Sequence, residues 1–229
     1  MKRHFLTLIA SVVLAVVTPH SLAQLKVDIS GVGANQIPIS IADFADEAVT
    51  GQSISSIIRA DLQRSGMFKL IDAPETLSET SSVNLSSFKA KGADALVTGS
   101  AVKHSDDRIE LRYKLADTVR TVDLAVHSVS TQSQFIRLAA HKIADDIFEK
   151  LTGIRGAFAT RIAYVSRSSG EYRLEVADSD GENAFVALRS SEPIISPNWS
   201  PDGTKLAYVS LDRKSTRLNS SHGYISYAV

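Results

Sequence analysis

The 229-residue chain contains no cysteine. That absence excludes a disulfide framework, a zinc site built on thiolates, a cysteine nucleophile and a thiol-linked lipid anchor. The chain also has no excess of charge, because 25 basic side chains balance 25 acidic ones. A balanced charge argues against a nucleic-acid-binding protein. With 44% apolar residues the chain is hydrophobic enough to bury a core, and its length allows one or two domains.

The amino-terminal apolar stretch is short. It covers thirteen residues, 5–17, whereas a membrane-spanning helix needs ~20. A basic start precedes it, and small residues follow at Ser21 and Ala23. This pattern predicts a secretory signal peptide over residues 1–23, cleaved between Ala23 and Gln24, and a mature chain outside the inner membrane. The alternative interpretation is a membrane anchor.

The carboxyl-terminal residues 212–229 show neither helical nor strand periodicity. The string KSTRLNSSH within them resembles translated sequencing-adapter DNA, so we interpret this segment as a chimeric or artefactual tail. The alternative is a flexible polar tail. Between the two ends, residues 24–211 carry four more acidic than basic side chains. A mildly acidic body argues further against a nucleic-acid partner.

Residues 24–152 are predicted to form an α/β domain. Apolar residues at helical spacing predict a helix from Ile54 that ends at Gly66, a short helix near Phe88, and a long final helix that stops at Gly153. Period-two patterns and apolar runs predict strands at residues 25–29, 37–44, 67–72, 95–103, 109–117 and 122–130.

Polar residues of this domain do not form a convincing catalytic set. His141 and Asp145 are four residues apart on the final helix, but both lie off its apolar stripe, which predicts a solvated face. Asp106 and Asp107 are expected in a hairpin turn. Asp146 should point away from its neighbour Asp145, which excludes a shared-proton pair. The sequence therefore predicts no catalytic residue, no metal ligand and no cofactor.

A repeat dominates the remaining residues. The segment TRIAYVS at 160–166 recurs as TKLAYVS at 204–210, an offset of 44 residues, and Asp180-Gly181 between them is a hairpin signal. Short strands at such a period are typical of a β-propeller blade. We predict that residues 153–211 hold one blade and the first strand of the next, with the turn between them at residues 196–203. A pair of plain hairpins is the alternative. Because a propeller closes with ~4 to 8 blades, we expect exposed edges and poor solubility.

The run FEKLTGIRGAF at 148–158, followed by RIAYV at 161–165 and SPDG at 200–203, resembles the TolB family of the Tol–Pal system of Gram-negative bacteria. The resemblance implies an N-terminal α/β domain followed by a six-bladed propeller, a periplasmic location and no enzymatic activity. It also implies a part in outer-membrane integrity and in envelope constriction during cell division.

The resemblance further implies two protein partners. In that family the first residues of the mature chain bind the inner-membrane protein TolA, and the propeller face binds the lipoprotein Pal. Most of the Pal face would lie beyond Leu211. The alternating apolar pattern agrees with strand addition to a partner, although a simple edge strand is the alternative, and Gln24 departs from the acidic residue often found there. The TolA segment carried over to this chain comprises Gln24, Leu25, Lys26, Val27, Asp28 and Ile29.

Two other functions stay open from the sequence. One is a periplasmic hydrolase of the prolyl-oligopeptidase type, which would need a serine, aspartate and histidine domain further along the chain. The other is a propeller that binds a small molecule. A complete reading frame would distinguish the hydrolase from an adaptor. A ligand-dependent shift in melting temperature would reveal a small-molecule-binding propeller.

Overall fold

The structure is a computed structural model, and it describes residues 36–211 and the backbone of residues 225–226. All described residues belong to one compact unit of the chain. The predicted signal peptide and the predicted strand at residues 25–29 lie outside the described residues.

The first part of the described chain forms a mixed five-stranded sheet. Its strands are β1 (Ile37–Ile41), β2 (Phe68–Ile71), β3 (Ala95–Lys103), β4 (Arg108–Asp117) and β5 (Val122–Gln132). Their order in the sheet is β2-β1-β3-β4-β5. The β1 strand runs parallel to both of its neighbours, and the β3–β4 and β4–β5 pairings are antiparallel. These five strands and the helices between them confirm the predicted α/β class.

Three α-helices accompany the sheet: α1 (Ile54–Arg64), α2 (Leu85–Ala90) and α3 (Ile136–Thr152), with 3₁₀ turns at Glu47–Thr50 and Ser133–Phe135. Ser53 caps α1, because its hydroxyl accepts a hydrogen bond from the Ser56 amide. Gly153 ends α3 in the left-handed region at φ 72°, as its position in the sequence predicted.

Helices α1 and α3 pack together against the sheet and enclose its main core. The α1 side chains Ile54, Ile58 and Leu62 are fully buried, as are Ile143 and Ile147 of α3. Because the apolar positions recur every three or four residues, each helix turns one face toward the sheet. The apolar stripe predicted for α3 is confirmed at its centre.

The second part begins the propeller. Strands β6 (Arg161–Ser168), β7 (Glu171–Asp178) and β8 (Phe185–Ser190) form an antiparallel sheet, and β9 (Ile194–Trp199) pairs with β10 (Lys205–Ser210). The predicted hairpin at Asp180-Gly181 is present, with Gly181 at φ 86°. A small core joins the two sheets and comprises Leu174, Val176, Ile194 and Leu206.

Two predicted elements differ from the structure. The strand predicted at residues 37–44 ends at Ile41, after which Ala42 bonds to Val97 outside the regular ladder. The turn predicted at 196–203 is confined to 200–203, because residues 194–199 pair with β10 as a strand. The segment 212–229, interpreted as a chimeric or artefactual tail, contributes two residues to the second propeller sheet. Ile225–Ser226 forms a short strand β11 against β10, and the rest of that segment lies outside the described residues.

Candidate functional site

The residues predicted to bind a partner are not among those that the structure describes. The cleavage pair Ala23 and Gln24 and the TolA segment from Gln24 to Ile29 all precede residue 36. These assignments therefore stay predictions. The described residues instead show a cluster of buried charges between α3 and the propeller strands, which the sequence did not indicate.

His141 is the centre of this cluster. The sequence predicted it on a solvated face, and that prediction was wrong, because His141 is only 1% exposed. Its Nδ1 lies 2.6 Å from Oδ2 of Asp61 on α1, and that carboxylate is fully buried. A carboxylate can only accept, so Nδ1 carries the hydrogen and donates it. The second oxygen of Asp61 accepts from Arg64 one turn later.

The propeller contributes two carboxylates to the same cluster. Asp178 ends β7 and Asp180 lies in the following turn, where its Oδ1 accepts from the Glu182 amide. Nε2 of His141 lies 3.7 Å from Oδ2 of Asp180. Arg137, one turn before His141 on α3, donates to that same oxygen, and its Nε lies 3.6 Å from Oδ2 of Asp178. We call Asp61, Arg137, His141, Asp178 and Asp180 the polar junction.

Asp145 fastens the connecting segment to α3. Its two carboxylate oxygens accept hydrogen bonds from the backbone amides of Phe158 and Ala159, at 2.6 and 3.0 Å. The prediction that Asp145 faces solvent was therefore wrong as well. Gly156 passes so close that an added Cβ would lie 2.6 Å from the Cα of Asp145. Helix α3 thus holds the start of the propeller through hydrogen bonds and through close backbone approach.

Asp146 points the other way, as predicted. Its Oδ2 accepts a 2.6 Å hydrogen bond from the hydroxyl of Tyr113 on β4, and Nδ1 of His127 lies 3.2 Å from that hydroxyl. Burial, together with the hydrogen bond to Asp146, raises the pKa of Tyr113 far above its ordinary value. The Tyr113 hydroxyl therefore stays protonated and is not suited to acid–base chemistry. Its hydrogen bond to Asp146 holds β4 to α3.

A groove of about 360 Å³ lies between α3 and the propeller strands. Leu138 and Lys142 of α3 form one wall, and Thr160, Trp199 and Asp202 are among the residues of the other. Ser200 and the Thr204 amide donate hydrogen bonds to Asp202 and lower its pKa to about 2.

Asp106 and Asp107 lie in the predicted β3–β4 turn, with Asp107 at φ 60°. No helix in the described part of the chain is long and apolar enough to cross a membrane.

One signal in the sequence could have located the polar junction. Asp61 recurs at helical spacing with Ile54 and Ile58, so it lies on the buried face of α1. A carboxylate in that position requires a polar partner, because burying an unpaired charge is costly. The sequence does not show which residue supplies that partner, since His141 is 80 residues further along the chain.

Two family models match the chain in the order of its two folded parts. The model described as the TolB amino-terminal domain matches residues 25–124, and that described as the TolB beta propeller domain matches residues 148–221. Both matches are to parts of one family. They confirm the fold class predicted from the sequence, an α/β domain followed by the start of a propeller.

Relatives and a solved structure agree with these matches. The chain is 54% identical over 189 residues to the Tol-Pal system protein TolB of Bordetella avium, covering 82% of this chain and 43% of that protein. It is 49% identical over 193 residues to the protein of the same name from Dechloromonas aromatica, with 84% and 45% covered. The crystal structure of TolB from Acinetobacter baumannii superimposes with a TM-score of 0.70 at 34% identity, covering 78% of this chain and 45% of that one. The chain spans less than half the length of these relatives, and it belongs to the TolB family.

Proposed function

We propose that this chain acts as a non-catalytic adaptor of the Tol–Pal system in the periplasm. In this role it would bind TolA and Pal and help to maintain the outer membrane and its constriction during division. The observation that carries the proposal is the ordered match of both TolB family models to the two folded parts. The similar proteins are named as components of the Tol–Pal system.

The proposed TolA site is the segment from Gln24 to Ile29. Its apolar residues Leu25, Val27 and Ile29 alternate with polar ones, so an extended segment would present one apolar face. Such a segment suits addition to the edge of a partner's sheet, where main-chain hydrogen bonds provide affinity and alternate side chains provide specificity. The proposed Pal face involves propeller strands that would follow Leu211.

The test is capture of the C-terminal domain of TolA by the chain after export and processing. Mass spectrometry of the exported protein first checks for a terminus at Gln24. We expect deletion of Gln24 to Ile29 to abolish capture. Replacing Leu25, Val27 and Ile29 with serine should do the same, because it removes the apolar face and keeps the length.

The matched control changes the other face of the same segment. Lys26→Gln combined with Asp28→Asn removes two charges from alternate positions and should leave most of the binding in place. Capture that is unchanged by the deletion would refute the assigned segment. If the control lost capture as completely as the deletion does, the apolar-face mechanism would be refuted. The segment itself would still be the TolA site.

A further inference from the structure

The polar junction contains a ring nitrogen and a carboxylate oxygen that face each other across a buried gap. Nδ1 of His141 donates its hydrogen to Asp61, so Nε2 carries a free lone pair whenever the ring is neutral, which is the form that binds a metal ion. That Nε2 has no hydrogen-bond partner, and it lies 3.7 Å from a carboxylate oxygen of Asp180. With the ring neutral, both of these atoms are acceptors, and they repel each other unless a positive charge lies between them.

The charges of the cluster also favour a cation. Asp61, Asp178 and Asp180 bring three negative charges, and Arg64 and Arg137 bring two positive ones. With a neutral imidazole the group therefore carries one net negative charge. All three acidic side chains are almost entirely buried, with Asp180 the most exposed at 12%. A charge imbalance in such surroundings is little screened by solvent.

The positions of the acceptors suit a small metal ion. Ligand atoms of His141, Asp178 and Asp180 all lie within 4.8 Å of one another. Zinc binds imidazole nitrogen and carboxylate oxygen at about 2.0–2.2 Å in a tetrahedron, so two of its ligand atoms are ~3.4 Å apart. The distance between Nε2 of His141 and Oδ2 of Asp180 is already near that value.

Asp61 completes the arrangement. Histidines that bind zinc commonly donate the hydrogen of their other ring nitrogen to a carboxylate, which fixes the orientation of the ring and makes it a stronger ligand. Asp61 makes this contact with His141 in the folded chain. We propose that His141, Asp178 and Asp180 bind one divalent transition-metal ion, with zinc as the best fit, and that Asp61 orients the histidine. The sequence predicted no metal ligand in this chain.

Arg137 competes for the same oxygen. Its guanidinium donates to Oδ2 of Asp180, so its positive charge competes with a metal ion for that oxygen. This competition makes a specific prediction. Removing the guanidinium should strengthen zinc binding. If the ion pair between Arg137 and Asp180 had only a structural role, its loss would weaken the junction without promoting zinc binding.

The experiment titrates Zn²⁺ into the full chain, purified with a tag that contains no histidine and freed of metal with EDTA. Calorimetry and competition with a chromophoric chelator measure the affinity and the number of ions bound. We expect one Zn²⁺ per chain and a rise in melting temperature on binding. Ca²⁺ should bind far more weakly, because a site with only three protein ligands, one of them imidazole, suits zinc better.

Four variants separate the site from general effects. Asp180→Asn keeps the shape of the turn residue and should weaken binding at least tenfold. Asp61→Asn should weaken it roughly 10- to 100-fold, as the loss of such an orienting carboxylate typically does. Arg137→Gln should tighten it roughly tenfold, because a competing unit charge is removed. His127→Gln, which changes the half-exposed histidine beside Asp146, is the matched control and should bind as the parent does.

Circular dichroism of each metal-free variant shows whether it is folded. A folded Asp180→Asn variant that binds zinc as tightly as the parent would overturn the proposal. So would failure of the folded parent chain to bind zinc, equal binding of Ca²⁺, or loss of binding in the His127→Gln control. Tighter binding in Arg137→Gln together with weaker binding in Asp180→Asn would establish the site.

Discussion

The α/β domain and the propeller strands differ in how completely they are buried. Seven of the nine residues of the central strand β3 are buried, whereas β6, at the edge of the first propeller sheet, has none. The main core involves all five strands of the α/β sheet and both long helices, whereas the propeller core has four fully buried side chains among the described residues. Exposed large apolar side chains such as Ile162, Ile195 and Val209 lie on the propeller strands.

This difference shows what each part needs in order to be stable. Burial of apolar surface is the main favourable contribution to folding. The α/β domain obtains it from helices packed on a sheet within the same domain. A propeller blade obtains it from the blades on either side. We therefore expect the α/β domain to be the more stable part of this chain and the propeller strands to open first.

The largest change in the free energy of unfolding should come from replacing one buried aliphatic side chain with alanine in each of the two cores. Ile58 and Leu206 are both fully buried, but only Ile58 is enclosed by helices and sheet together. We expect Ile58→Ala to lower the free energy of unfolding by ~3 kcal/mol, since the cavity cannot collapse. Leu206→Ala should cost less, because its surroundings can relax. Native-state hydrogen exchange resolves the two parts, and equal costs would contradict the comparison.

A smaller effect should follow from disturbing the connection between the two parts. An alanine Cβ at position 156 would collide with the backbone of α3 at Asp145, so Gly156→Ala should cost ~2 kcal/mol. It should also speed exchange of the Phe158 amide, which bonds to Asp145. Gly170→Ala, where the added Cβ meets open space at φ 83°, is the control for backbone strain. Unchanged protection of Phe158 would refute this role of Asp145.

The Tyr113 hydroxyl offers a pH-dependent test confined to the α/β domain. Its pKa is raised in the folded chain by burial and by Asp146, so the unfolded chain loses this proton first, near the ordinary value of ~10. The stabilisation is fully present below that pH and is lost as the pH rises above it, by up to ~1.4 kcal/mol per pH unit. Tyr113→Phe should cost ~1 kcal/mol at neutral pH and should abolish this loss. Urea unfolding from pH 8 to 11 checks both effects, and parallel curves for the two proteins would contradict them.

The smallest effect belongs to the turn between β9 and β10. Asp202 accepts hydrogen bonds from Ser200 and from the Thr204 amide, and its pKa falls to about 2. The stabilisation by this carboxylate is present above the ordinary aspartate pKa of ~3.9 and is lost as the pH falls through about 2. Asp202→Asn should remove this acid dependence from the propeller strands alone. A carboxyl titration followed by NMR checks the value, and an ordinary pKa would contradict the turn geometry.

The same two regions differ in how well the sequence predicted them. In the α/β domain the spacing of apolar residues correctly located both long helices and the three antiparallel strands, because local periodicity determines which face is buried. In the propeller the repeat indicated the blade, but the Ser-Pro-Asn of β9 suggested a turn where a strand forms. Pairing with β10 outweighs that local preference.

The polar junction was not predicted, for a physical reason. An isolated helix gives no indication that His141 is buried, since its neighbours on the propeller side are Asp178 and Asp180, contributed by a strand and a turn some 40 residues later. Polar residues off an apolar stripe ordinarily face solvent. Here a second domain covers that side of α3, and its carboxylates interact with the polar residues there.

The measurement that tests the proposed function most directly is the affinity of the processed chain for the C-terminal domain of TolA, determined by calorimetry with and without Gln24 to Ile29. The proposed adaptor role predicts saturable binding that disappears with this segment and persists in the Lys26→Gln, Asp28→Asn control. No binding by the folded, correctly processed chain, or equal affinity after the deletion, would contradict it.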